Sequence, residues 1–196
     1  ELSRQAMGIA KEFKEKDFYL KMKERVYKLA PRFRPQPKKS EWLEVAYDFR
    51  RQREFDQARK YYRKVLKSRS FKFYDKLKAH YGIRKAYKNE RDKKNYLKAT
   101  WALAKHTEKY FKRFPKSKYY QRKFHDAQIT LSRTQWTLGQ VKNAKRTLAK
   151  LERTLRRTHT MAEIFWLFGR MEEESQNFSK AHYWFQRALN HKINDR

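Results

Sequence analysis

The run Trp42-Leu-Glu-Val-Ala-Tyr-Asp-Phe-Arg-Arg-Gln-Arg-Glu-Phe-Asp-Gln-Ala-Arg-Lys-Tyr-Tyr-Arg-Lys-Val65 decides the fold. Trp42, Val45 and Phe49 are large apolar residues at helical spacing, with the small Ala46 beside them. Ala58, Tyr62 and Val65 repeat the spacing after a polar break. With Trp42 in the fourth place, this is a helical-hairpin repeat: large apolar residues at the fourth, seventh and eleventh positions and a small one at the eighth. Ala at the twentieth, an aromatic at the twenty-fourth and a small or apolar residue at the twenty-seventh complete it.

The template returns further along the chain. Phe165, Phe168, Gly169, Ala181, Phe185 and Ala188 fit it, with Glu172 as a departure in the eleventh place. Leu131, Ser132, Ala144, Leu148 and Leu151 fit it more loosely. The anchor alanines lie 86 residues apart from 58 to 144 and 37 apart from 144 to 181. The larger interval holds roughly two long repeats of the tetratricopeptide kind. Such hairpins cannot bury their apolar faces alone, so they stack into a curved α-solenoid. The expected fold is all-α, with about ten helices. Function is then expected in a surface and not in a catalytic cleft.

Composition agrees. The chain has 196 residues, 39% hydrophobic and 16% aromatic, which is too apolar for a disordered chain. Four Gly and four Pro leave little material for strands and tight turns. Helical patterns are expected over 3–15 and 17–30, where Phe18, Tyr19, Met22, Val26, Tyr27 and Leu29 form an apolar stripe. Pro31, Pro35 and Pro37 break regular structure between 31 and 39. Residues 40–196 read as one continuous array, with Ser40 as the N-cap of its first helix. Its hairpins are expected at 40–53 and 55–68, 73–89 and 92–113, 118–138 and 141–157, and 161–175 and 178–192. The second pair is degenerate. The tryptophans Trp42, Trp101, Trp136, Trp166 and Trp184 are expected in packing.

Charge is the second large feature. Lys and Arg number 52 against 21 Asp and Glu, a net +31. That field attracts polyanions. On a helix at 55–68, Arg59, Lys60, Arg63, Lys64 and Lys67 turn away from Ala58, Tyr62 and Val65. On a helix at 141–157, Lys142, Lys145, Arg146, Lys150, Arg153, Arg156 and Arg157 oppose Val141, Ala144, Leu148, Leu151 and Leu155. Both are second helices of hairpins, so the stripes are expected on the convex side, suited to an extended polyanion. A solvated face is the plainer reading. Most aromatics occupy apolar template places; Tyr74, Tyr119 and Tyr120 are the expected exposed exceptions, available for stacking on single-stranded nucleic acid.

Other chemistry is thin. There is no Cys, hence no disulfide and no thiolate site. The six histidines show no close metal spacing, and no phosphate-cradling Gly-rich loop occurs. Glu172, Glu173 and Glu174 read as a surface acid cluster. No catalytic residue, metal or cofactor is expected. No apolar run reaches the ~18 residues of a membrane span. The start at Glu1 without Met reads as a processed protein or an excised segment, which leaves the question of a signal peptide open.

From Lys116 to His191 the chain resembles the superhelical, non-catalytic domain of soluble lytic murein transglycosylases. The runs that carry the likeness are Phe-Pro-Lys-Ser-Lys-Tyr at 114–119, Thr-Gln-Trp-Thr-Leu-Gly at 134–139 and Ala-Glu-Ile-Phe-Trp-Leu-Phe-Gly-Arg at 162–170, with Phe185-Gln-Arg-Ala-Leu189 after them. The resemblance implies a periplasmic helical scaffold that binds peptidoglycan or another anionic polymer, or positions a downstream catalytic domain. The family's catalytic Glu-Ser is followed by Gly-Leu-Met-Gln. Glu174-Ser175 has no such motif after it, so the catalytic Glu is not carried over. The segment from Trp42 to Lys60 also looks like the half-a-tetratricopeptide repeats of RNA-processing scaffolds, which are cytosolic or nuclear. Nucleic-acid binding and protein–protein adaptor function therefore stand as alternatives, with a cytoplasmic location as the alternative address.

Overall fold

The computed structural model describes residues 38–155 and 159–193. The chain divides into two compact units, Glu1–Lys39 and Ser40–Arg196, and every described α-helix lies in the second. The helix pair expected within 1–30, most of the Pro-rich loop, and Arg156 and Arg157 of the basic stripe lie outside the described residues.

A 3-10 turn, Lys39–Glu41, leads into α1 (Trp42–Arg51). Then follow α2 (Phe55–Lys67), α3 (Phe73–Asn89), α4 (Lys93–Arg113), α5 (Lys118–Thr137), α6 (Val141–Glu152), α7 (His159–Glu174) and α8 (Phe178–Ile193). Described residues contain no strand. Each helix packs on the next, so the unit is an all-α array of four hairpins. Ser40 is not the N-cap of α1: it sits inside the 3-10 turn, and Glu41 takes the cap position, though its side chain does not cap the helix.

All four hairpin turns close alike. One residue adopts a left-handed conformation: Arg53 at φ 62°, Arg91 at 59°, Gly139 at 77° and Gln176 at 58°. The next residue's N–H reaches back five residues, from Glu54 to Phe49 O, Asp92 to Tyr87 O, Gln140 to Gln135 O and Asn177 to Glu172 O. This double-bonded arrangement satisfies carbonyls left open at a helix C-terminus. Glycine is the usual occupant, and only Gly139 supplies it.

The turns fix the phase of the degenerate repeat. Each left-handed residue is the fifteenth of its repeat, so Arg91 places Arg84 at the eighth position and Tyr96 at the twentieth. The other hairpins have small residues there: Ala46 and Ala58, Ser132 and Ala144, Gly169 and Ala181. Such pairs let helix backbones approach; Ser132 Oγ donates to Ala144 O at 3.1 Å. In the second hairpin the Arg84 guanidinium lies 5.3 Å over the Tyr96 ring instead. Close approach moves to Gly82, where a Cβ would stand 2.2 Å from Tyr62 Cζ of α2.

Apolar packing is accordingly uneven. One core joins Phe49, Ala58, Tyr62, Val65 and Ile83. A larger one joins Leu148, Leu151, Ile164, Phe165, Leu167 and Met171. Burial of one such side chain contributes about 1.5–3 kcal/mol. Between them, α1 packs on α3 and α5 on α7, while the α3 and α5 backbones stay further apart and leave a gap that side chains close, Leu77 and Ala127 among them. Aromatic rings fill that gap. Phe73 lies 4.5 Å from Tyr110, 4.9 Å from Tyr120 and 5.2 Å from His106, centroid to centroid.

Polar bonds lock the outer junctions. Arg59 of α2 reaches Glu90 beyond α3. Arg133 bonds Glu163 at 2.8 Å, Trp136 Nε1 donates to Glu174 at 2.7 Å, and Lys145 bonds Glu172 at 2.7 Å, tying α5 and α6 to α7.

Of the five tryptophans, Trp42, Trp136 and Trp184 flank cores. Trp101 and Trp166 depart from the packing expectation, at 51% and 45% exposed.

Candidate functional site

The α6 stripe starts from a clean division of one helix. Ala144, Thr147, Leu148 and Leu151 are buried. Lys142, Arg146, Lys150 and Arg153 recur at intervals of four or three and are exposed. They make no ion pair with a described residue. Eleven residues of helix place these cations along about 16 Å. Lys145 leaves the stripe: it is half-buried, and its ammonium is held by Glu172. Glu172 in turn is a buried residue that also accepts from Asn177 Nδ2 at 3.0 Å. Desolvation would raise its pKa, but the bonds from Lys145 and Asn177 outweigh that and bring it below the usual carboxylate value. The unusual acid of the fourth repeat is thus the partner of an unusual lysine.

On α2, Lys60, Arg63 and Lys67 are exposed, with Arg63 Nη2 donating to Tyr87 OH at 3.0 Å. Lys64 is half-buried, its ammonium 4.6 Å from the Tyr61 centroid and 5.5 Å from that of Trp42. Arg59 corrects the sequence reading most clearly. It is buried, paired with Glu90 and Asp56, and stacked 4.5 Å over Tyr87. Desolvation opposes its charge, yet the two carboxylates prevail and its pKa is raised. Arg59 holds hairpins together and has no free face for a ligand. The helix carries this pair because Arg59 follows Ala58, on the flank of the apolar arc that meets the end of α3.

Neither Glu172, Glu173 nor Glu174 is a free surface acid. Glu173 bonds Arg170, and Glu174 accepts from Trp136. Glu152, Glu108 and Glu163 are likewise paired, with Arg187, Lys112 and Arg133. Asp92 caps α4 through Asn95 N at 3.0 Å. These carboxylates are therefore engaged by side chains or backbone of the chain itself, while most of the stripe cations face water.

His80 and His106 approach to 4.8 Å, ring to ring, but no carboxylate shapes them. Burial lowers both pKa values first; His106 and Lys76 add to it at His80, while at His106 a backbone bond with Phe73 opposes it and Lys76 and Lys109 add to it. Among the described residues no cluster of three or more His, Asp or Glu could hold a metal ion. No described helix is long and apolar enough to cross a membrane.

A second cationic region was only partly legible in the sequence. Tyr74 and Tyr119 are exposed, as expected, while Tyr120 is half-buried. Phe114 is exposed beside them. The signal for this region was compositional: Lys109 to Lys123 holds seven Lys or Arg and no acid.

No family model matches the chain, and no curated protein matches it. Solved structures do. The TPR-like repeats of a putative kinesin light chain from Podosopora anserina superpose with a TM-score of 0.62 at 12% identity, over 99% of this chain and 95% of that one. MamA superposes with 0.57 at 14% identity, over 96% and 95%. The apo form of RapI gives 0.61 at 9% identity, over 99% and 70%. Together with the repeated hairpin turns, these likenesses make the fold a tetratricopeptide-like helical-repeat array. At such identities they speak for the fold alone.

Proposed function

We propose that this chain is a non-catalytic docking scaffold for an acidic segment of a partner protein. The supporting observation is the division of charge. The carboxylates near the hairpin junctions are tied up internally, while Lys142, Arg146, Lys150 and Arg153, with Lys60, Arg63 and Lys67, stand exposed. Helical-repeat arrays present extended binding surfaces of this kind, and complementary charge speeds encounter and selects partners.

The murein-scaffold reading gains no support from the comparisons. The residues that carry that resemblance serve packing here. Gln135 is buried and accepts from Thr147 Oγ1 at 2.8 Å, Gly139 takes the left-handed turn, and a Cβ on Gly169 would meet Phe185 at 2.5 Å. Such positions describe a fold and not its ligand.

The test is a fluorescence-anisotropy titration with a labelled Glu/Asp-rich peptide. The K142E/R146E/K150E/R153E variant is expected to weaken binding at least tenfold with unchanged helicity by circular dichroism. Unchanged affinity removes the stripe from the reading. Retention on murein sacculi at high salt, with no peptide binding, replaces the protein partner by wall polymer, because salt screens a purely electrostatic attraction.

A further inference from the structure

We propose that the junction between α4 and α5 binds single-stranded nucleic acid, with Tyr74, Phe114 and Tyr119 as stacking surfaces. This surface is separate from the α2 and α6 stripes and does not rest on the reading above.

Length sets this junction apart. The left-handed turn residues are 38, 48 and 37 residues apart, from 53 to 91, 139 and 176. Most of the extra residues lie in α4, which has 21 residues against 13 in α2 and 12 in α6, and the rest in α5, which has 20 against 17 in α3 and 16 in α7. Ten surplus residues amount to roughly three helical turns shared by two helices. Phe111 and Phe124 stack at 4.7 Å within the longer helices and hold their ends together.

The chemistry at this end is specific. Tyr74, Phe114 and Tyr119 keep 53%, 41% and 45% of their surface in water. They form a connected row. Phe114 stacks on Tyr120 at 5.2 Å, Tyr120 meets Tyr119 at 5.4 Å, and the Tyr119 pKa is raised by burial first and then by the neighbouring phenols of Tyr74 and Tyr120. The row is anchored below by buried Phe73, which contacts both Tyr119 and Tyr120. A platform held in this way loses little freedom on binding. A cation accompanies each exposed ring: Lys78 at 4.4 Å from Tyr74, Arg113 at 5.3 Å from Phe114 and Lys123 at 5.8 Å from Tyr119. Glu108, the nearest acid on α4, is already paired with Lys112.

Two demands on the ligand follow: negative charge at short intervals, and flat faces between the charges. An acidic peptide meets the first and leaves three rings in water. A duplex also meets the first but keeps its base faces stacked on each other. A single strand offers phosphates to the cations and bases to the rings, which is how sequence-tolerant single-strand sites are built.

The experiment titrates labelled oligo(dT) of about fifteen nucleotides, the corresponding duplex and a Glu/Asp-rich peptide at about 50 and 200 mM salt. The single strand is expected to bind more tightly than the duplex at the higher salt. Y74A/Y119A is expected to weaken single-strand binding at least tenfold and leave peptide binding as it was, while Y74F/Y119F binds like the parent. K142E/R146E/K150E/R153E is expected to retain the single-strand preference. If Y74A/Y119A melts early, F114A carries the same test on a solvent-facing ring. Duplex binding equal to or tighter than single-strand binding, or undiminished binding by the folded alanine variants, overturns the proposal.

Discussion

Acid should attack this fold first at His80. That residue occupies the fourth template position of the second hairpin, where the first and fourth hairpins carry Trp42 and Phe165. Its ring packs 4.8 Å from His106 of α4, with Lys76 one turn before it on α3. Burial, then the charges of His106 and Lys76, push its pKa from the ordinary 6.5 down to about 4. Between those values the unfolded chain takes up a proton that the folded chain refuses. The contribution is therefore complete above pH 6.5 and is lost as the pH falls towards 4. At ~1.36 kcal/mol per unit, lowering the pH from 6.5 to 5.0 removes roughly 2 kcal/mol, and the full window removes roughly 3 kcal/mol. Domains have about 5–15 kcal/mol in all. His106 acts in the same direction. Glu172 and Asp92, whose pKa values are lowered from 4.5 and 3.8, give up their contributions only at still lower pH, so measurements above pH 5 isolate the histidines. Urea unfolding of the parent and of His80→Leu at pH 7.5, 6.5, 5.5 and 5.0 reads the effect directly. The parent should lose stability faster, and the gap between the two slopes should sum to roughly 2 kcal/mol by pH 5. Parallel pH profiles would refute the assignment of acid sensitivity to this buried imidazole.

Three further outcomes follow from the packing. Replacing Arg53, Arg91 or Gln176 by Gly should each add about 0.5–1 kcal/mol, because glycine adopts the left-handed conformation without the Cβ penalty; loss of stability in thermal melts would deny the shared turn geometry. Gly82→Ala should destabilise in spite of its better helix propensity, since overpacking costs about 1–3 kcal/mol against a gain of ~1 kcal/mol, and Tyr62→Leu in the same chain should relieve it. Arg59→Ala should cost about 1–3 kcal/mol, below the full value for a buried pair because Glu90 retains some access to water. The same variant should leave acidic-peptide affinity within about twofold, as expected of a side chain with no solvent face; a tenfold loss in the titration would return Arg59 to the binding stripe.

Much of the fold was legible because it depends on local spacing. Val45, Ala46 and Phe49, then Ala58, Tyr62 and Val65, declare two amphipathic helices within 24 residues, and all six prove to pack in one core. The anchors Ala144 and Ala181 are buried as the template requires. The second repeat was harder to phase. Its small positions hold Arg84 and Tyr96, and its turn residue Arg91 gives no glycine signal. Only φ at Arg91 shows where that repeat stands.

The amphipathic periods, the small anchor residues and the shortage of Gly and Pro therefore determined by themselves that this chain folds as stacked helical hairpins. Helix formation and hairpin closure are settled among residues close in sequence. Tertiary structure alone decided which charges remain for a partner. Arg59 meets Glu90 across 31 residues and Lys145 meets Glu172 across 27, so a helical wheel that sees one helix at a time counts all four as surface. Whether a charge is neutralised depends on distance through space, and that distance exists only once the hairpins have stacked.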